Sequence, residues 1–71
     1  DAKSRLQELS QEKLGITPSY QVLSESGPDH NKVFEVGAFL DANLIGKGTG
    51  SSKQKAEEQA ALAALKGKGW L

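Results

Sequence analysis

Apolar residues recur at helical spacing near both ends of this chain and at a period of two, interrupted by glycines, in between. A stretch patterned for one period cannot bury its apolar side in the other conformation, so the order reads helix, strands, helix. Residues 2–14, AKSRLQELSQEKL, set Ala2, Leu6 and Leu9 at helical spacing, with Leu14 closing the run. Asp1 is placed to cap this helix and Gly15 to stop it, and Pro18 disfavours helix at Thr17. Residues 20–26, YQVLSES, alternate loosely and end at Gly27-Pro28, as a strand entering a turn does. Residues 32–40, KVFEVGAFL, alternate more clearly, with Phe34, Val36 and Ala38 on one face. Asp41-Ala42-Asn43 can turn the chain, and residues 44–50, LIGKGTG, read as a third strand weakened by glycines. From Ser51, SSKQKAEEQAALAALK predicts a second helix with Ala56, Ala60, Ala64 and Leu65 inward. Ser51 with Gln54 fits a capping box there, and Ser52 is the other candidate cap.

With 71 residues and no cysteine, the fold has packing alone to hold it, without disulfides or thiolate metal sites. Two helices and three short strands can then form only one core, with both helices on one face of the sheet and the other face wet. The expected class is α+β, an α-β-β-β-α two-layer sandwich with a three-stranded antiparallel sheet. The chain reads as a single domain, with residues 1–66 as folded core and 67–71 as a fraying tail around Gly67, Lys68 and Gly69.

Nine Lys and Arg balance nine Asp and Glu, so no global field advertises a polyanionic partner. The charges are nevertheless unevenly spread: Asp1, Glu8 and Glu12 lie early, and Lys47, Lys53, Lys55, Lys66 and Lys68 crowd the last third. No apolar run approaches the length that spans a bilayer, and neither a secretory signal nor an initiator Met opens the chain. The expectation is a piece of a longer, soluble, cytoplasmic protein with no membrane partner.

Four stretches invite a chemical role. The first, GKGTGSSK at residues 46–53, fails the P-loop pattern because Ser52 precedes Lys53 and Gln54 follows it. It fails the dinucleotide fingerprint because Gly46, Gly48 and Gly50 alternate as G-x-G-x-G. Two readings stay open: glycines that let a strand pass close to the helix, or a helix start whose amides, with Lys53 and Lys55, grip a phosphate backbone. The second, Ser4, Gln7, Glu8 and Gln11, shares one face of the first helix opposite Leu6 and Leu9. Such a stripe is commonly just the solvated side of a helix, yet its hydroxyl and amide groups also suit sugar hydroxyls in a shallow groove. The third is His30, the one histidine, at a hairpin tip; without a second His or a Cys, Asp29 beside it completes no metal site. The fourth, Glu57-Glu58, reads as helix decoration rather than an acid–base pair. Nothing pairs a nucleophile with a base. Among the aromatics, Phe34 reads as core and Tyr20 as packing near the first helix, while Phe39 and Trp70 have no assigned place; no stacking platform stands out.

LQEL in the first helix, GPDH in the first hairpin, GKGTGSSKQKAE leading into the last helix and AALAAL after it occur in order at characteristic separations. This combination closely resembles the double-stranded RNA-binding domain over essentially the whole chain, most of all the domain that ends bacterial ribonuclease III. The pattern D-x-K-S-x-L-Q-E-L, the G-P-D-H loop and the acidic Glu57 carry that closer likeness. The resemblance implies duplex RNA as partner, held by shape at three places. The first helix, through Ser4, Gln7, Glu8 and Gln11, would enter one minor groove. The loop of Gly27, Pro28, Asp29 and His30 would enter the next, and Ser52, Lys53 and Lys55 would meet the phosphates between them.

One departure matters. Many members carry Lys-Lys after the Ser and another base after the Ala, where this chain has Lys53, Gln54 and Glu57. Weak affinity is therefore expected of the isolated, monomeric module. The catalytic domain that the resemblance implies, homodimeric and Mg-dependent, has an acidic signature of Glu followed shortly by Gly-Asp that is missing here, so no cofactor and no cleavage are expected of these residues. The alternative is the same fold used for protein contact or dimerisation. The depleted lysines favour that alternative; the loop histidine and the Gln7-Glu8 pair favour RNA.

Overall fold

The Asp1 carboxylate accepts a hydrogen bond from the Ser4 amide at 2.8 Å and so starts the first helix, α1 (Ala2–Leu14). In this computed structural model, which describes residues 1–71, Gly15 ends α1 in the left-handed region at φ 68°, its amide bonding to the Gln11 carbonyl at 3.0 Å. Three antiparallel strands follow, β1 (Ser19–Ser26), β2 (Val33–Leu40) and β3 (Asn43–Gly50), in the sheet order β1-β2-β3. The chain then closes with α2 (Lys53–Lys68). Each element lies within two residues of its expected bounds. Both helices contribute to one core with the inner face of the sheet, as an α+β two-layer sandwich requires.

The core is built from small side chains. Leu6 of α1, Val36 and Ala38 of β2, and Ala56, Ala60, Ala61, Ala64 and Leu65 of α2 form its buried cluster. Gly46, Gly48 and Gly50 pair with Ala38, Val36 and Phe34 and so turn their missing side chains toward α2. A Cβ on Gly46 would come within 2.5 Å of the Ala64 amide nitrogen, and one on Gly50 within 2.7 Å of that of Ala56. The alternating glycines therefore seat a strand directly against an alanine face. Close packing is what GKGTG supplies.

One local expectation left open is decided and two others change. The cap of α2 is Ser52, extended at φ −138°, whose hydroxyl accepts from the Lys55 amide at 3.1 Å; the Ser51–Gln54 box does not form. The reason is register: β3 pairs as far as Gly50, so Ser51 is spent leaving the sheet. The C-terminal residues do not fray either. The helix continues through Lys68, Gly69 turns left-handed at φ 73°, and amides of Gly69 and Trp70 bond back to the carbonyls of Lys66 (3.1 Å) and Leu65 (2.9 Å). This is a Schellman closure, and Trp70 packs against the core from it. Leu14, by contrast, sits in the last turn of α1 and faces solvent, while Ser10 is fully buried.

The outer face of the sheet is less polar than expected. Leu23, Phe39 and Leu44 close over Gly37, where a Cβ would meet Leu44 Cδ1 at 2.8 Å and Phe39 Cε1 at 2.9 Å. Phe39 reaches that face by ordinary alternation with Gly37, and the β2–β3 register shift at Ala38/Phe39 sets Leu44 opposite it.

Candidate nucleic-acid interface

Burial of Leu6 and Ser10 fixes the rotation of α1, so Ser4, Gln7, Glu8 and Gln11 all face solvent. Gln11 Oε1 accepts from the Thr17 hydroxyl at 3.2 Å, which ties the end of this polar face to the loop that follows. Ser4, Gln7 and Glu8 keep their side-chain polar groups free for a partner.

The β1–β2 connection presents the second segment. Gly27 has φ 89°, and a Cβ there would overlap the Asn31 carbonyl oxygen, so the tight approach requires glycine. The Asn31 amide donates to the Pro28 carbonyl at 2.9 Å, making a turn with Asp29 and His30 at its centre. Lys32 braces the loop by pairing with Glu25 at 3.2 Å and with Asp29 at 3.8 Å. Its charge is thereby partly offset, and the imidazole of His30 stands exposed at the tip between the exposed side chains of Asp29 and Asn31.

The third segment is the start of α2. The Ser52 hydroxyl is committed to the cap, and the first turn carries no acidic residue. Its first two amides have no partner within the helix, so this end presents partial positive charge together with Lys53 and Lys55. Lys55 Nζ leans on the Ser51 hydroxyl at 3.4 Å, and Lys53 Nζ sits 6.0 Å from the centre of the Phe34 ring.

Tertiary contacts bring the three segments together around that helix start. Phe34, just past the loop in β2, pairs with Gly50 and lies under Lys53, which puts the loop on one side. On the other side Glu58 accepts from the Ala2 amide at 2.6 Å and the Lys3 amide at 3.3 Å, and Lys3 Nζ meets Glu57 Oε1 at 2.5 Å. The start of α2 thus lies between α1 and the loop. Glu57 and Glu58 do not decorate a helix; they join it to α1. Sequence spacing could not show this, because the partners lie more than fifty residues apart.

Tyr20 lies beneath the same junction, its ring 5.2 Å from Lys3 Nζ and its buried hydroxyl without a hydrogen-bond partner. Burial first, then the charges of Glu57 and Glu58, push its pKa up to about 12. No cluster of three or more His, Cys, Asp or Glu gathers that could hold a metal ion, and no helix is long and apolar enough to cross a membrane. The two surface depressions, about 300 and 520 Å³, are open troughs beside β3 and α2, and neither sets a nucleophile against a base.

The double-stranded RNA binding motif matches residues 2–67 of this sequence. The chain belongs to that family. Among curated relatives, Ribonuclease 3 of Borreliella burgdorferi is 52% identical over 66 residues, a match that covers 93% of this chain and 27% of the relative. Ribonuclease 3 of Campylobacter fetus is 45% identical over 67 residues, covering 94% of this chain and 30% of the relative. The chain therefore spans little more than a quarter of the length of these relatives. Solved structures agree on the fold: Arabidopsis HYL1 superposes with a TM-score of 0.81 at 32% identity over 96% of both chains. Dicer from Pichia stipitis does so with a TM-score of 0.75 at 29% identity over 93% of this chain and 32% of the other. As a double-stranded RNA-binding motif, the chain is an RNA-binding module, and its α-β-β-β-α order is that of the family.

Proposed function

We propose that this double-stranded RNA-binding domain docks duplex RNA for an enzyme of the Ribonuclease 3 kind, with catalysis and its Mg ions supplied by a different part of such an enzyme. In this reading Ser4, Gln7, Glu8 and Gln11 enter one minor groove and the Gly27–His30 turn enters the next. Ser52, Lys53 and Lys55 meet the phosphates between them. The observation that carries it is the placement of an acid-free helix start, with two lysines, between two exposed polar segments. Donors and acceptors of that kind read sugar hydroxyls and duplex shape rather than bases.

The test is titration of this chain with RNA and DNA duplexes of one sequence at low salt. RNA should bind well above DNA, and exchanging base pairs should change little. Equal affinity for RNA and DNA would leave only charge and defeat the groove reading.

A second reading, protein contact, is favoured by Leu23 and Leu44, 40% and 47% exposed on the outer sheet face. It predicts an apparent mass that rises with protein concentration in the absence of RNA.

A further inference from the structure

We propose that Glu58 is a positioning residue for duplex binding: from α2 it holds the first turn of α1, and so sets the spacing between the polar face of α1 and the phosphate-facing start of α2. This rests on the docking reading above and adds to it a residue that touches no RNA.

A helix cannot satisfy its first amides internally. In α1, Asp1 takes the amide of Ser4, and the two carboxylate oxygens of Glu58 take those of Ala2 and Lys3. The neighbouring Glu57 pairs with the Lys3 ammonium, which also lies over the Tyr20 ring. Two consecutive residues of α2 therefore grip one turn of α1.

The apolar contact between the helices is poorly suited to fix that turn alone. The buried face of α2 is mostly alanine and therefore low in relief, with Ala60 and Ala64 seated on β3, and α1 adds Leu6, the hydroxyl-bearing Ser10 and the partly buried Ala2 and Leu9. Shallow ridges set register weakly, whereas charge-assisted hydrogen bonds have defined directions. The grip also gives the two helix starts opposite character. Asp1, Glu57 and Glu58 surround the start of α1, while no acid stands in the first turn of α2. Glu58 thus occupies the amides at the start of α1 that a phosphate would otherwise take, whereas the first two amides of α2 stay open.

The experiment is a double-mutant cycle on duplex RNA affinity. It uses Glu58→Ala, Gln7→Ala and their combination, read well below each variant's Tm, with Glu58→Gln alongside. Glu58→Ala should weaken binding about fivefold, and Gln7→Ala should cost distinctly less in that background than in the native one. Glu58→Gln, which keeps an acceptor oxygen, should recover part of the loss. It carries the cycle itself should Glu58→Ala fail to fold. The slope of affinity against salt should stay as in the native chain, because the phosphate contacts belong to α2. Native affinity in Glu58→Ala, or a Gln7→Ala cost that is the same in both backgrounds, would overturn the proposal, even if Tm falls. A native chain that does not bind duplex RNA would overturn the docking reading instead, and this proposal with it.

Discussion

Gly48 of β3 lies so close to Ala60 of α2 that a Cβ on Gly48 would overlap the Ala60 amide nitrogen and come within 2.5 Å of the Gln59 carbonyl carbon. Neither atom can swing aside, since both are helix backbone. Gly48→Ala should therefore lift α2 off the sheet, at a cost of about 3 kcal/mol or more, the upper end for overpacking. For a domain of this size that is a fall in Tm of more than about 10 °C, measurable by circular dichroism. A fall under about 2 °C would show that the helix and strand are not in contact there.

Gly67 offers the opposite outcome. It is helical, and a Cβ there would find only the Ile45 carbonyl oxygen, at an ordinary 3.8 Å. Gly67→Ala should stabilise the fold by about 0.5–1 kcal/mol, because alanine loses less backbone freedom on entering a helix. An unchanged Tm would mean that the last turn of α2 is not formed in solution.

Stability should decline in alkali through Tyr20. Its pKa rises from 10.0 unfolded to about 12 folded, with burial the larger cause. The folded chain therefore holds the phenolic proton that the unfolded chain releases. The contribution is complete below about pH 10 and disappears as pH rises toward about 12. Tyr20→Phe removes this loss and a buried hydroxyl that has no partner. Its Tm should match or exceed the native value at neutral pH and gain on it steadily above pH 10. The single tyrosine also lets phenolate absorbance follow the titration directly.

Binding should depend weakly on salt. With Lys53 and Lys55 as the two cations at the helix start proposed to meet phosphate, the log–log slope should be about −2, taking the duplex-DNA coefficient. A slope near −6 would reveal a basic surface elsewhere. Lys53→Glu should weaken every duplex alike without lowering Tm by more than a degree or two. His30→Ala should leave Tm almost unchanged and weaken RNA binding about fivefold, the worth of one hydrogen bond. Equal affinity of His30→Ala and the native chain would reduce His30 to a turn residue.

The polar face of α1 was legible because Leu6 and Leu9 fix the helix rotation by local spacing. The loop was legible because Gly27 and Pro28 specify a turn wherever they occur together. Ser10 was not: on an amphipathic pattern a serine beside Leu9 reads as surface, and its burial depends on how near α2 comes. The Schellman closure at Gly69 was equally hidden, since Gly67 and Gly69 look alike in sequence and differ only in which one the helix reaches.

Period, turn chemistry and capping residues are properties of neighbours along the chain, so the sequence by itself determined five elements, their order and the main inward positions of α1, β2 and α2. The change in period around three short strands was enough to require one shared core. What the tertiary structure decided are relations between residues far apart in the chain. Gly48 meets Ala60, Glu58 closes the start of α1, and Lys53 stands over Phe34 beside the loop. These depend on how closely backbones approach once side chains are missing or small, and a one-dimensional pattern records the missing side chain without recording what fills its place.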